Sequence, residues 1–314
     1  MLLAILALSC AAVAAEDDKV VQLPHSWSVG TKYHIEFTKT REDIEDGLPK
    51  KTASSRTPID VEVIAKREDG YTFRWTFGKP IAGAEVKVGQ ALIDKVTALV
   101  DGLRMDLLID SAGSVTGLAN AAEMDAHIEK MSQRLFAELG SLGALEDSQL
   151  ALLKKAVAEM KGPAFQASYV SYPQMFYMPA GAALTVGEKN MYEDRLPNPF
   201  GGEPLPSKAY LQLRELRTAA NEAVVEWRQS IDSDRAGPIL DASIRAYAKR
   251  IGQELPEGAA AMSFDAIEDA STFVYDLATG IPKSVVSSRT TTIAGRRRID
   301  SQEFSVSWPD AAKK

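Results

Sequence analysis

Cysteine is almost absent from this chain: Cys10 is the only one in 314 residues, and it lies inside an apolar N-terminal run. Downstream of that run there is no disulfide, no thiol nucleophile and no thiolate metal site to invoke. Histidine is nearly as scarce. His25, His34 and His127 are the only three; no two stand at the i, i+4 spacing of a helical ligand pair, and none has a third candidate ligand beside it in sequence. Surface or packing roles follow for all three, so no metal and no cofactor is expected, a site assembled only by the tertiary fold being the alternative.

Activating contexts are missing as well. No serine sits in a Gly-x-Ser-x-Gly elbow or in Ser-x-x-Lys, and Gly83, Gly89 and Gly201-Gly202 lack phosphate-loop spacing. No catalytic residue is nominated. Basic charge is short too: 36 Lys and Arg stand against 43 Asp and Glu, for a formal charge of −7. This balance argues against a nucleic-acid partner, which needs a basic face. The one compact basic run, Arg296-Arg297-Arg298, reads as a solvated strand end, and Glu42, Asp43, Glu45 and Asp46, flanked by Arg41 and Lys50, read as a solvated charged loop. No apolar run reaches the length of about 20 residues that a transmembrane helix needs.

What is present begins at the N-terminus. Met1 to Ala15 carries no charged side chain and gives way abruptly to Glu16-Asp17-Asp18. An apolar stretch ending in small residues predicts a secretory signal peptide cleaved after Ala14 or Ala15. No Lys or Arg precedes the run, which leaves room for a translation start upstream. The alternative is lipidation of Cys10, where Ala7-Leu8-Ser9 resembles a lipoprotein processing site with Ala7 in place of the usual leucine. On either reading the protein is expected outside the cytoplasm, periplasmic or extracellular. A mature chain of about 300 residues without disulfides is held by its core alone, and suffices for one large domain or two small ones.

The chain then alternates. Tyr33, Ile35 and Phe37 share one face, the period of two that predicts a strand from Lys32 to Arg41. Glu42 to Ser55 is expected as a hairpin loop. Ile59, Val61, Val63 and Ala65 resume the alternation, Asp69-Gly70 supplies a tight turn, and Tyr71, Phe73, Trp75 and Phe77 line one face of the returning strand. Helical spacing predicts helices from Gln90 to Leu103, from a cap at Asn120 to Leu139 with Met124, Ile128, Met131, Leu135 and Leu139 as its stripe, and from Asp147 to Lys161. A hairpin over Met105–Asp110 and Val115–Leu118 lies between the first two.

The second half opens at Pro163 with an aromatic- and methionine-rich run ending at Met178, then echoes the first. Leu184-Thr-Val-Gly-Glu-Lys answers Trp27-Ser-Val-Gly-Thr-Lys, Val224-Val-Glu-Trp227 answers Tyr71-Thr-Phe-Arg-Trp75, and Asp276 to Gly280 answers Asp110 to Gly113. The offsets drift, so no strict period follows, but two similarly built halves do. Gly237 to Gly252, with Ile244, Tyr247 and Ile251 at helical spacing, is the helical insertion of the second. Strands at Ser263–Asp276, Lys283–Thr292 and Arg296–Trp308 close the chain. The expected organisation is a signal peptide over 1–15, a β-meander with a helical hairpin over 16–162, a second β-meander with one helix over 163–309, and a polar tail over 310–314.

The Val-Gly-x-Lys strand openings, the Asp110–Gly113 and Asp276–Gly280 hairpins and the Leu184–Lys189 segment resemble bacterial secreted families of unknown function. The architecture this implies is similar to the unclosed β-barrel of periplasmic lipoprotein carriers, in which a curved sheet wraps helices and can hold acyl chains. No residue matches a carrier's functional motif, so the resemblance carries the fold, and lipid binding enters as a hypothesis.

The expected fold class is therefore α+β, a curved antiparallel sheet or half-barrel from two similar meanders, covered by inserted helices. The expected role is non-enzymatic binding of a hydrophobic small molecule or lipid in the concave face. Tyr169, Tyr172, Met175, Phe176, Tyr177 and Met178 form a soft apolar surface suited to lining it, against the alternative that this segment is an extended stretch packed in the core. A structural or protein-interaction module of the cell envelope is the competing class, and an unrecognised hydrolase the third.

Overall fold

The computed structural model describes residues 20–45, 50–83, 100–141, 163–196, 201–250, 264–293 and 296–309, with isolated positions between them. The N-terminal apolar run, nearly all of the helix expected over 90–103, most of the one expected over 147–161, and the polar tail lie outside the described residues. What is described is α+β. Its strands are β1 (Val20–Gln22), β2 (Lys32–Ile44), β3 (Lys51–Arg67), β4 (Gly70–Phe77), β5 (Ile81–Ala82), β6 (Arg104–Asp110), β7 (Val115–Leu118), β8 (Ala183–Thr185), β9 (Lys189–Leu196), β10 (Leu205–Arg217), β11 (Glu222–Ile231), β12 (Phe264–Asp276), β13 (Pro282–Ile293) and β14 (Arg296–Ser307). Helices α1 (Ala121–Ser141) and α2 (Pro163–Tyr177) separate β7 from β8, and α3 (Ser233–Arg250) separates β11 from β12. No described helix is long and apolar enough to cross a membrane.

One large antiparallel sheet runs in the order β7-β6-β4-β3-β2-β14-β13-β12-β11-β10-β9, with β5 also pairing β3; it does not close. Neighbours in chain order are mostly neighbours in space, as short antiparallel connections dictate. The exception is the seam between β2 and β14, where Ile35 pairs with Val306 and Arg41 with Asp300. A separate pair, β1 with β8, ties the segment before β2 to the segment before β9.

Alternation explains the core. Tyr33 and Ile35, Ile59 to Val63, Tyr71 to Trp75, and Met105 to Ile109 bury every second side chain on a common face. That face is covered by α2. Phe176 and Tyr177 are fully buried, with the Phe176 ring 5.8 Å from Trp75 and 5.5 Å from Phe304, and the Tyr177 ring 5.4 Å from Phe73. Trp27 stands edge-on to Tyr71 and Phe73 at 5.2 and 5.0 Å. Each such ring contributes roughly 2 kcal/mol by leaving water. A satellite cluster of Leu196, Leu205, Ala236, Leu240 and Ile267 packs α3 onto the far end of β9, β10 and β12.

The echoes in the sequence recur as matched local geometry. Gly30 and Gly187 both take positive φ and donate to a carbonyl of the strand that pairs with the one they precede, Val63 of β3 and Leu213 of β10 respectively. Both acceptors stand at a register shift in that strand, Val63/Ala65 and Leu213/Glu215. Asp110 and Asp276 each accept two backbone N–H bonds within their own turn through Oδ1, and each carbonyl receives the turn glycine, Gly113 or Gly280.

Four expectations are corrected. Residues 42–55 are not simply a loop: β2 runs on to Ile44 and β3 starts at Lys51, because the charges meet opposites across strands and at the turn, as in Glu42–Lys50 at 2.6 Å and Asp43–Arg298 at 2.7 Å. The run from Tyr169 is helical up to Tyr177 rather than extended, despite Pro173 inside it. Asn120 precedes α1, but its side chain does not cap the helix; Oδ1 accepts from Asp106 N and Nδ2 donates to Arg104 O, clipping the helix start to β6. Finally, α3 starts at Ser233, earlier than Gly237, and buries Ala236, Leu240 and Ser243.

A candidate ligand-binding cleft under helix α2

The inward side chains change character along β2, β14, β13 and β12. In register across these strands lie three rows. The first, Phe37, Phe304, Val285 and Phe273, belongs to the core. The second, Lys39, Gln302, Ser287 and Ser271, is polar. The third, Arg41, Asp300, Arg289 and Asp269, alternates in charge. β11 extends them with Val225, Trp227 and Gln229. Apolar packing against α2 thus ends with the first row, where Phe304 meets Phe176 and Phe37 meets Tyr172, and beyond it the sheet presents a polar floor.

Between that floor and α2 lies a cleft of about 680 Å³. Its roof carries Tyr172, Met175 and Tyr177 of α2 and Met178 just past its end; Val115, Leu196 and Trp227 add apolar surface; Lys39, Arg41, Arg289 and Gln302 are among the polar lining. The floor is internally satisfied to a large degree. Arg289 donates through Nε and Nη2 to both oxygens of Asp269, each at 2.7 Å, and Asp269 is only 7% exposed. Arg41 Nε donates to Asp300 Oδ1 at 2.7 Å. Gln229 Nε2 donates to Asp194 and Ser207, and Ser271 donates to Ser287. Gln302 Oε1 is buried with no hydrogen-bond partner among the described residues. Lys39 Nζ reaches up from the floor to donate to the Tyr172 hydroxyl at 3.0 Å, and lies 5.6 Å from the ring centre.

The aspartate bond beneath Arg289 raises its pKa further, partly opposed by burial. In the core beside the cleft, burial pushes the Tyr33, Tyr177 and Tyr275 hydroxyls well above the ordinary tyrosine range.

Of the six residues expected to line a groove, Tyr172, Met175, Tyr177 and Met178 border this cleft. Phe176 points into the core and is fully buried, because a helix turns successive side chains by about 100° and cannot present all six together. Tyr169 packs against the main core and is not part of the lining. Sequence reading missed the floor entirely. The signal was available: Arg41, Asp269, Arg289 and Asp300 stand in phase with the aromatic or aliphatic residues two or four positions along the same strand. The histidines stay apart from the cleft. His34 is exposed and paired with Asp60, His127 is half-buried on α1, and His25 packs beside Gly113 and Gly181 with Nδ1 buried. No group of three metal-ligating side chains occurs among the described residues.

The fold and site together define an α+β protein with an open antiparallel sheet and, among the described residues, a helix-roofed, half-polar cleft. No protein-family model and no curated protein matches the chain. Among solved structures, the chain is similar to one of lipovitellin described for its lipid–protein interactions, at a TM-score of 0.44 and 10% identity over 92% of this chain. The similarity spans 26% of that neighbour's chain, so this protein covers about a quarter of its length.

Proposed function

We propose that this chain is an exported, non-enzymatic binding protein whose sheet curves as a half-barrel of two meanders and holds an amphipathic ligand, such as a lipid, between floor and α2. The observation that carries this reading is the two-sided lining of the cleft. A volume of about 680 Å³ falls in the range of small-molecule sites, roughly 300–1,000 Å³, which are apolar with a few placed polar groups. Met175 on α2 and Met178 just beyond its end are soft and adaptable, suited to a flexible chain of variable shape. The paired charges of the floor suit the holding of a polar end. The apolar run from Met1 to Ala15 supports export.

Native mass spectrometry of the mature protein, purified gently and followed by organic extraction, tests the reading. A co-purifying amphiphile near stoichiometric amount is expected, lost in the double variant Met175→Glu, Met178→Glu while the thermal melt of that variant stays cooperative. A clean apo mass, together with no uptake of added fatty acid or phospholipid, overturns it.

A further inference from the structure

We infer that the polar end of the ligand is an anion, a carboxylate or a phosphate, received by Lys39, Arg41 and Arg289; this rests on the amphiphile reading above. Each guanidinium is gripped from below. Arg289 spends Nε and Nη2 on Asp269, and Arg41 spends Nε on Asp300, while the side chains remain 46% exposed over carboxylates that are 7% and 19% exposed. Both arginines are thereby oriented with their remaining N–H groups away from their aspartates. The acids partly neutralise the guanidinium groups they hold, and of each pair the arginine is the more exposed group. Lys39 adds its ammonium at the roof, with one proton committed to Tyr172.

Spacing fits a single headgroup. Arg41 and Arg289 flank Asp300 in register, two strands apart and so about 10 Å between backbones, a gap that two long side chains span. Lys39 precedes Arg41 by two residues on the same face, about 7 Å away along the strand. Four cations and three carboxylates line this cleft, in a chain whose formal charge is −7. The cleft is thus more positive than the molecule around it. A neutral head would accept only the weaker, charge–neutral hydrogen bonds from these donors, and a cationic head would meet like charge. Tyr172, Met175 and Met178 then direct the apolar tail along α2.

Four probes with one tail separate the outcomes: laurate, lauryl phosphate, dodecanol and dodecyltrimethylammonium, titrated into the mature protein by calorimetry or by the fluorescence of Trp227 in the cleft wall. At least one anion is expected to bind about tenfold or more tighter than dodecanol and the cation. Tighter laurate assigns a carboxylate, tighter lauryl phosphate a phosphate. The preference should narrow to under about threefold in Lys39→Met, and in the charge-balanced double variant Arg41→Gln, Asp300→Asn, which leaves no buried acid stranded. Equal binding of all four overturns the anion inference and leaves the amphiphile reading standing. Binding of none overturns the amphiphile reading, and this inference with it.

Discussion

Tyr177 shares a 2.5 Å hydrogen bond with Tyr33 and accepts from Trp75 Nε1 at 3.3 Å, all three inside the core. Burial pushes the Tyr33, Tyr177 and Tyr275 hydroxyls above the ordinary value of 10.0. The folded state therefore keeps protons that the unfolded chain releases near pH 10. Stability from this source is fully present below that pH and is lost as pH rises through the folded-state values. The melting temperature should fall steeply above about pH 10, and Tyr177→Phe should shrink that fall; an equal fall in the variant would place the alkaline lability elsewhere. Gly70 shows a second residue-scale constraint. It sits at φ 148°, and a Cβ there would come 2.0 Å from the Ile109 carbonyl oxygen. Gly70→Ala should cost more than about 2 kcal/mol in denaturant unfolding, because backbone rather than a movable side chain stands in the way. At the cleft floor, Arg289→Met strands a nearly buried Asp269 and should cost about 1–3 kcal/mol, most of it restored when Asp269→Asn is added.

At the scale of elements, helices and strands were legible to different degrees. Strand alternation survives single substitutions of character, so the phases of β2, β3 and β4 follow directly from Tyr33, Val61 and Phe73. The charged ends of β2 and β3 were hidden, because Glu42, Asp43 and Lys50 look like a solvated loop until opposite charges are brought alongside them. Segment 169–178 was hidden for another reason. Pro173 argues against a helix interior, since it removes an N–H and crowds the preceding turn, at about 3 kcal/mol; here the ring is buried and its helix is held by Val170, Phe176 and Tyr177. Helix α1 offers a measurable contrast. Its sequence stripe treats Met124 and Leu139 alike, yet Met124 is fully buried in the main cluster and Leu139 is half-buried outside it. Met124→Ala should lose about 2–4 kcal/mol and Leu139→Ala under about 1 kcal/mol, read from urea midpoints.

For the whole molecule, the decisive contacts join distant parts of the chain. β2 pairs β14, β1 pairs β8, and Tyr275 donates to Pro24 O at 2.8 Å. The main apolar cluster draws on both ends, from Val21 to Phe304. Urea unfolding followed by far-UV circular dichroism and by tryptophan fluorescence should therefore give one coincident transition. Two separated transitions, one per half of the chain, would contradict a shared core.

The sequence by itself determined the α+β class, the phases of β2, β3 and β4, the two tight turns at Asp110 and Asp276, and the apolar character of residues 169–178. Those are local properties, carried by periodicity and by turn chemistry within a few residues. Only the tertiary structure decided that Arg41, Asp269, Arg289 and Asp300 form one row, since they lie on four strands spread over some 260 residues and meet through hydrogen-bonded register alone. It also decided which side chains of α2 face core and which face cleft. A helix beside a sheet can be rotated by one residue without altering its pattern, and the rotation is set by what the sheet beneath it offers.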